Sequence, residues 1–97
     1  MATYIARLNW TDQGIKSVKD TVERAESVEG LAQKMGARMS AIYWTVGPYD
    51  LVAVLDAPDD ETAHAFLLQV GATGNVRSTG MRAYNGEEMR GLLSKLG

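Results

Sequence analysis

A turn near the middle of the chain, Gly47-Pro48-Tyr49-Asp50, places a phenol beside a carboxylate. Tyr49 can donate a proton or a hydrogen bond while Asp50 orients it, as in general acid–base catalysis. The Asp50 carboxylate can instead accept backbone N–H groups and hold a hairpin together. The glycine and proline before Tyr49 are typical of tight turns, so they favour the structural interpretation.

Aromatic side chains with polar tips form a second candidate group, made of Trp10, Tyr43 and Trp44. Tyr43 and Trp44 are neighbours on a predicted strand, so their side chains should point to opposite faces of the sheet. One should face the helices, and the other should face a partner sheet or a barrel mouth. Such aromatics suit ligand pockets and interfaces alike, and we expect at least one to pack in the core or in a dimer interface.

Asn75, Arg77, Thr79 and Met81 alternate along another predicted strand, so they are expected to share one face. Arg77 can anchor the carboxylate or phosphate of a ligand, with Asn75 beside it. Arg77 can also pair with an acid of a partner chain, or act as an edge-strand charge that discourages further pairing. We favour these structural roles.

The single histidine, His64, lies beside the apolar stripe of a predicted helix rather than on it. It can be a general base or a haem ligand, but nothing else in the sequence marks a haem site, and we expect a partly exposed histidine. The absence of cysteine excludes disulfides, thiolate zinc sites, iron–sulfur clusters and cysteine nucleophiles. We therefore predict no metal site and no cofactor.

Length and charge exclude further classes of protein. The 97 residues correspond to a single domain, 1–97, and 45% of them are hydrophobic. A net charge of -2, from 10 basic and 12 acidic residues, argues against binding to nucleic acid or to an anionic membrane. The longest apolar run, 51–55, is too short to span a membrane, and no signal-peptide pattern is present. We expect a cytoplasmic protein.

Hydrophobic periodicity predicts four strands, with the turn described above between the second and the third. The strands span residues 3–10, 38–46, 51–56 and 75–84. The first strand has one apolar face, made of Tyr4, Ala6, Leu8 and Trp10. The third strand is apolar on both faces, so we expect it to be central and covered on both sides.

Spacing of three or four residues predicts helices between these strands. The first begins at Thr11-Asp12 and carries a stripe that includes Ile15 and Val22, with a break near 20–22 where Thr21 can cap a second segment. The next helix is expected to bury Ala63, Phe66, Leu67 and Val70 and to end within 71–74. A capping box at 85–88 begins a final helix with a narrow apolar stripe of Met89, Leu92, Leu93 and Leu96.

The order β-α-β-β-α-β is the ferredoxin-like pattern of an α+β protein, with a four-stranded antiparallel sheet and an extra C-terminal helix. Two helices cover one face of such a sheet and leave the other face bare. Large exposed apolar patches are rare on soluble monomers, so we predict a homodimer that pairs sheet against sheet. The alternative is a monomer whose final helix folds back over the bare face.

Several short motifs occur together in this order. Tyr43-Trp44-Thr45-Val46-Gly47-Pro48-Tyr49-Asp50 contains a Gly-x-Tyr-Asp signature, and Ala57-Pro58-Asp59-Asp60-Glu61 follows the next strand. Further matches are Trp10-Thr11-x-x-Gly14, Gly36 and Gly74-Asn75-Val76-Arg77. Over nearly the whole chain the sequence resembles the GYD domain family. The resemblance implies a ferredoxin-like fold that pairs as a dimeric α/β barrel, and it implies no reaction, because the function of the family is unassigned.

We therefore expect a small dimeric protein without enzymatic activity that binds a small molecule or contributes to an assembly. The alternative is a cofactor-independent oxygenase or isomerase acting on a small organic substrate. In that enzyme Tyr49 or Asp50 would move the proton and Arg77 would hold an anion, with Trp44 and Asn75 in the site. A third hypothesis is a scaffold in which edge strands join dimers into rings.

Overall fold

The computed structural model describes residues 1–97 and confirms the α+β ferredoxin-like fold with a C-terminal helix. The elements are β1 (Ala2–Trp10), α1 (Asp12–Lys16), a 3-10 turn (Val18–Asp20), α2 (Thr21–Lys34), β2 (Arg38–Trp44), β3 (Leu51–Ala57), α3 (Asp60–Ala72), β4 (Val76–Ala83) and α4 (Gly86–Leu93). The four strands form one antiparallel sheet in the order β2-β3-β1-β4. None of the helices combines the length and the apolar character needed to cross a membrane.

The core lies between the sheet and two helices, α2 and α3. Alternate residues of the central strands are buried there: Tyr4, Ala6 and Leu8 from β1, and Leu51, Ala53, Leu55 and Ala57 from β3. The helices contribute Ala32, Ala63, Phe66 and Val70. The predicted apolar face of β1 and the stripe of the second helix are thus confirmed, although Leu67 is only half-buried.

The opposite side of β3 is less covered than predicted. Val52 and Val54 point away from α2 and α3, and within one chain they are only half-buried. The expectation that this strand is covered on both sides is therefore wrong for a single chain. Two helices of a ferredoxin-like fold lie on the same side of the sheet, so apolar residues on the other side have no partner element.

The predicted break in the first helical segment is present. The 3-10 turn at 18–20 separates α1 from α2. The predicted capping role of Thr21 is wrong, because Asp20 is the N-cap of α2 and Thr21 is its first helical residue. Ile15 and Val22 are about half exposed, at 48% and 50%. The tighter winding of the 3-10 turn shifts the angular phase of the apolar stripe, so these two side chains miss the core.

Strand and helix ends differ from the prediction by a few residues. β2 stops at Trp44 rather than at residue 46, because Thr45 N donates to Asp50 O at 2.8 Å and closes the loop there. α3 ends at Ala72, within the predicted 71–74. The chain then turns at Gly74, whose φ of +85° lies in the left-handed region that glycine adopts without steric strain.

α4 begins with the predicted capping box, in which the side chains of Asn85 and Glu88 each accept from the other's backbone N–H. Its apolar side chains remain exposed, between 38% for Leu92 and 51% for Leu93. Leu96, predicted as part of the same stripe, lies beyond the end of the helix at Leu93 and is 70% exposed. The helix therefore does not fold back over the bare sheet face, as the monomer alternative required. The molecule is elongated, with principal extents of 51 × 31 × 18 Å.

Candidate functional site

The sheet presents two surfaces of different character. We call the side away from α2 and α3 the open sheet face. Cross-strand pairing assigns to it Thr3, Ile5, Arg7 and Asn9 of β1, Val52, Val54 and Asp56 of β3, Ala41 and Tyr43 of β2, and Arg77, Thr79 and Met81 of β4. We call the space between the sheet and the two helices the helix-side cleft.

An apolar row crosses the middle of the open sheet face. Ile5 pairs with Val54 on one side and with Met81 on the other, and Ala41 pairs with Val54. The row therefore runs across all four strands. Ile5, Val54 and Ala41 are half-buried and Met81 is 41% exposed in the single chain.

Polar contacts flank this row on both sides. On one side Arg7 Nη1 donates to the Tyr49 hydroxyl at 2.7 Å, and the guanidinium carbon lies 4.5 Å from the centre of the Tyr49 ring. On the other side Asp56 accepts from Thr3 Oγ1 at 2.9 Å and forms an ion pair with Arg38 at 3.7 Å. The arrangement of an apolar centre with a polar border is typical of protein interfaces.

Arg7 was not among the residues singled out by the sequence. Its Nε is buried and has no hydrogen-bond partner within the chain. The sequence offered one sign that Arg7 is unusual, because it is a cation between apolar residues on a central strand. Nothing local could show that Tyr49, 42 positions away, folds over it.

The Gly47-Pro48-Tyr49-Asp50 turn is attached to the end of β1. Asp50 Oδ2 accepts from Trp10 N at 2.9 Å, and Asp50 N donates to Leu8 O at 2.9 Å. Asn9 Nδ2 donates to Pro48 O at 2.9 Å. The Asp50 carboxylate thus makes the backbone contact that its structural interpretation requires, and the Tyr49 hydroxyl contacts Arg7.

The helix-side cleft holds a cavity of about 220 Å³. Its floor is formed by sheet residues Ala6, Leu8, Leu51, Ala53 and Leu55. Its walls include Ala25 and Val28 of α2 and Phe66, Leu67 and Val70 of α3. Of the 19 lining residues 14 are hydrophobic, and Arg24 is the single ionisable one. Arg24 donates to Ser17 O at 2.6 Å and to Gly14 O at 3.3 Å, so its guanidinium ties α2 to the end of α1.

The three candidate aromatics occupy different places. Tyr43 lies on the open sheet face and is 64% exposed. Trp44 lies on the helix side, where its Nε1 donates to Thr21 Oγ1 at 2.9 Å and connects β2 to α2. The predicted opposite orientation of these neighbours is therefore confirmed. Trp10 lines the cleft, and its Nε1 is buried without a hydrogen-bond partner.

Asn75 and Arg77 do not share a face, contrary to the prediction. Arg77 pairs with Asn9 on the open sheet face and is exposed. Asn75 precedes β4 and lines the cleft, and its Oδ1 accepts from Gln13 Nε2 at 3.0 Å. The left-handed turn at Gly74 reorients the chain before the strand begins, so the two-residue alternation does not extend back to Asn75.

A separate cluster surrounds Tyr4 near the start of α3. The Tyr4 hydroxyl donates to Asp60 Oδ1, and this hydrogen bond, with burial, raises the pKa of the phenol above its ordinary value. The His64 ring meets the Tyr4 ring edge-on at 6.3 Å between centroids, and the Arg82 guanidinium carbon lies 5.7 Å from the centre of the Tyr4 ring. His64 is exposed, and no group of three or more His, Asp or Glu side chains is arranged to hold a metal ion.

Comparisons with known proteins place this geometry in context. The sequence model of the GYD domain matches residues 4–93. A protein of Thermus thermophilus, named glutamine synthetase and cystathionine beta-lyase binding protein, is 32% identical over 84 residues. That alignment covers 86% of this chain and 88% of the relative.

Two solved structures share the fold. MtbAldR superposes with a TM-score of 0.68 at 13% identity, and the leucine response regulatory protein of Mycobacterium tuberculosis with a TM-score of 0.65 at 17% identity. Each match covers 87% of this chain, which spans about half of each of those chains, 53% and 51%. At these identities the likeness shows a common fold.

Proposed function

The chain belongs to the GYD domain family, and from that premise we propose that it is a protein-binding module that acts as a homodimer. The observation that carries the proposal is the open sheet face. An apolar row of Ile5, Val54 and Met81 crosses this face and is bordered by polar contacts. No helix of the same chain covers it, since the apolar side chains of α4 remain exposed.

A second copy of the chain is the occupant that this face fits best. Pairing two open sheet faces brings apolar row against apolar row and removes both from water. Arg7 would then enter a drier environment, where its hydrogen bond to Tyr49 and its stacking on that ring balance part of the charge. A chain of 97 residues buries a modest fraction of its surface alone, so association adds stability.

The name of the Thermus thermophilus relative supports protein partners beyond the second copy. That relative is named for binding glutamine synthetase and cystathionine beta-lyase, and the alignment spans nearly all of it. We propose that this chain, as a dimer, binds an enzyme of one of these two kinds. The exposed apolar side chains of α4, with Met89 45% and Leu93 51% exposed, offer it an additional apolar contact.

The arrangement of ionisable groups supports binding over catalysis. A cofactor-independent oxygenase or isomerase needs a proton-transfer group beside its substrate. The cleft is lined by a single ionisable side chain, Arg24, while Tyr49 contacts Arg7 of the open sheet face and Asp50 accepts the Trp10 backbone N–H. The enzymatic hypothesis has no comparable arrangement in its favour.

Sedimentation equilibrium of the purified chain tests the dimer. We expect a mass of two chains for the wild type and of one chain for Val54→Lys, which places a cation in the apolar row. Leu68→Lys is the matched control, because Leu68 is 76% exposed on α3 and lies away from this face. A wild-type chain that stays monomeric at high concentration, or a dimer that Val54→Lys leaves intact, contradicts the proposal.

Surface plasmon resonance with purified glutamine synthetase and cystathionine beta-lyase of the same organism tests the partner. We expect saturable binding of at least one enzyme by the wild type and weaker binding by Val54→Lys. Leu68→Lys should bind as the wild type does. If the chain binds neither enzyme, the proposed partner is wrong. The proposed dimer is tested separately, by the sedimentation experiment.

A further inference from the structure

A cation lies within the open sheet face without a carboxylate to balance it. Arg7 is half-buried on the central strand β1, and it contacts the hydroxyl and the ring of Tyr49, both of them uncharged. Neither of the two ion pairs in the chain includes Arg7. Pairing of two open sheet faces, as proposed above, would bury this cation further, and charged side chains are almost never fully buried unless they are paired.

The open sheet face offers one carboxylate as a counter-charge. Asp56 is the only acidic residue among the strand residues assigned to this face. Its side chain is 22% exposed, accepts from Thr3 and pairs with Arg38, whose own side chain is 70% exposed. A carboxylate has about four acceptor sites, and an ion pair as exposed as this one contributes little, so Asp56 can accept further hydrogen bonds. The carboxylate of Asp50, in the neighbouring turn, is directed at the Trp10 N–H instead.

Arg7 and Asp56 do not meet within one chain. Asp56 is paired with Thr3 in the β1–β3 ladder, and Arg7 lies four residues farther along β1. At a rise of about 3.3 Å per residue, these two positions are separated by roughly 13 Å. The apolar row through Ile5 lies between them. A carboxylate of the open sheet face that balances Arg7 must therefore come from a second copy of the chain.

The orientation of the two sheets decides whether these groups meet. If the two-fold axis of the pair runs along the strands, the Arg7 side of one sheet faces the Arg7 side of the other, and like charges approach. If the axis runs along the apolar row, perpendicular to the strands, the two Ile5 side chains face each other and each Arg7 side faces an Asp56 side. Stacked sheets lie about 10 Å apart, a gap that an arginine and an aspartate side chain span together.

We propose that Arg7 of each copy forms an ion pair with Asp56 of the partner subunit, so that the two sheets stack with the two-fold axis along the apolar row. This inference rests on the proposed homodimer and adds its orientation and its charged contacts. Tyr49 positions the guanidinium through Nη1, and Nη2, which is neither bonded within the chain nor buried, is left for the carboxylate. The two-fold axis repeats the contact, so one ion pair lies on each side of the row.

A double-mutant cycle on the dimer measures the pairing. Arg7→Gln and Asp56→Asn should each weaken dimerisation at least tenfold in sedimentation equilibrium, because each leaves the opposite charge buried without its partner. The double variant Arg7→Gln/Asp56→Asn should dimerise no more weakly than either single variant. Positions this far apart in one chain otherwise give additive losses, so a non-additive result identifies a contact between copies.

Reversed charges distinguish the two orientations. Arg7→Glu and Asp56→Arg should each be monomeric at concentrations at which the wild type is a dimer, because each brings like charges together. The double variant Arg7→Glu/Asp56→Arg should dimerise again, since both contacts once more join opposite charges. With the axis along the strands, the introduced glutamates would face each other and this double variant would stay monomeric. Lys34→Glu, exposed on α2, makes the same change of charge away from the open sheet face and should dimerise as the wild type does.

The outcomes separate this inference from the dimer itself. If the wild type is monomeric, the proposed dimer is wrong and this inference falls with it. If the wild type is a dimer but the two neutral substitutions have additive effects, or no effect, the ion pair between copies is wrong and the dimer stands. A dimer that Arg7→Gln strengthens has the opposite orientation. The neutral variants decide the question if a reversed variant does not fold, which circular dichroism checks.

Discussion

The two faces of the sheet are built from alternating residues of the same strands, yet one is buried under the helices and the other is open. Along β1, Tyr4, Ala6 and Leu8 are buried under the helices, whereas Ile5 and Arg7 point to the open sheet face. The covered face is apolar but not filled, because α2 and α3 leave a cavity of about 220 Å³ above its small alanines. The open face is exposed but not bare, because the Tyr49 loop folds back onto Arg7.

The two faces differ in what they contribute to the stability of a single chain. Burial under the helices accounts for the hydrophobic stabilisation of one chain. The 13 buried hydrophobic residues form two clusters, and side chains of α2 and α3 pack against both of them. The open face keeps an apolar row that a single chain cannot bury. Substitutions on the two faces should therefore differ both in size and in their dependence on protein concentration.

Leu55→Ala should give the largest effect. Leu55 is 2% exposed in the core, and removing its side chain leaves a cavity, so we expect a loss of about 2–5 kcal/mol in the free energy of unfolding. Val54→Ala, one residue along β3, faces the open side. It should cost less than about 1 kcal/mol in dilute protein and more at concentrations that favour the proposed dimer. Urea denaturation at several concentrations measures both, and equal, concentration-independent losses would remove the distinction between the faces.

Gly14→Ala should be the next largest. A Cβ at Gly14 would lie 1.9 Å from the carbonyl oxygen of Asn75, which is backbone and cannot move aside cheaply. We expect a loss of about 2 kcal/mol or more in the free energy of unfolding, because α1 would be pushed away from the edge of the cleft. Gly30→Ala is the control, since nothing lies within 4 Å of its Cβ position on α2. It should stabilise the chain by about 0.5–1 kcal/mol, and thermal unfolding distinguishes the two outcomes.

Asp50→Ala tests the attachment of the turn on the side of the open face. It removes the acceptor of the Trp10 N–H, and we expect a loss of about 1–2 kcal/mol in stability. Asp50→Asn keeps an acceptor oxygen and should lose less. Hydrogen exchange of the Trp10 amide should become faster in Asp50→Ala than in Asp50→Asn. If both variants exchange at the wild-type rate, the Asp50 carboxylate does not hold the turn.

Tyr49→Phe should have a smaller effect on one chain than on the proposed dimer. It removes the hydroxyl that accepts from Arg7 but keeps the ring on which the guanidinium stacks. We expect about 1 kcal/mol of lost stability in dilute protein, and a weaker dimer because Arg7 would be buried with one hydrogen bond fewer. Chemical denaturation and sedimentation equilibrium measure the two effects. A variant that dimerises as tightly as the wild type would separate Tyr49 from the interface.

The smallest effect concerns the N-terminus of α3 and depends on pH. Hydrogen bonds from Thr62 lower the pKa of Asp59 below its ordinary value of 3.8. The charged form is therefore favoured by folding, so its stabilisation is complete above the unfolded pKa and is lost as pH falls below 3.8 through the folded pKa. When the pH is lowered from neutral to acid, the free energy of unfolding should therefore fall less for Asp59→Asn than for the wild type. Glu61→Gln serves as the control, and urea midpoints across that range should show the difference for Asp59 alone.

Local signals in the sequence were sufficient for much of the fold. The alternation of Tyr4, Ala6 and Leu8 predicted the buried side of β1, and the capping box at Asn85 predicted the start of α4. Each depends on residues within a few positions of one another, where periodicity and capping act directly. The prediction for Ile15 and Val22 was wrong because a 3-10 turn between them changed the helical phase.

The contacts of the candidate site residues were harder to predict from local sequence patterns. Trp44 and Asp50 were found as candidates, but their partners, Thr21 and the Trp10 backbone, are 23 and 40 positions away. Arg7 was not identified as a candidate because its role on the open sheet face depends on its contact with Tyr49. Asn75 was placed on the wrong side of the sheet because the turn at Gly74 interrupts the alternation.

The sequence by itself determined the order of the elements and the buried side of β1, because these follow from residue types repeated at short, regular intervals. It also determined the family of the chain, because several short motifs occur in one order along it. Only the tertiary structure decided that Tyr49 covers Arg7, that Trp10 Nε1 lacks a partner, and that the helices leave a cavity over Ala6 and Ala53. These features arise where segments distant in the chain meet, and their geometry depends on how the helices and loops pack together rather than on any local pattern.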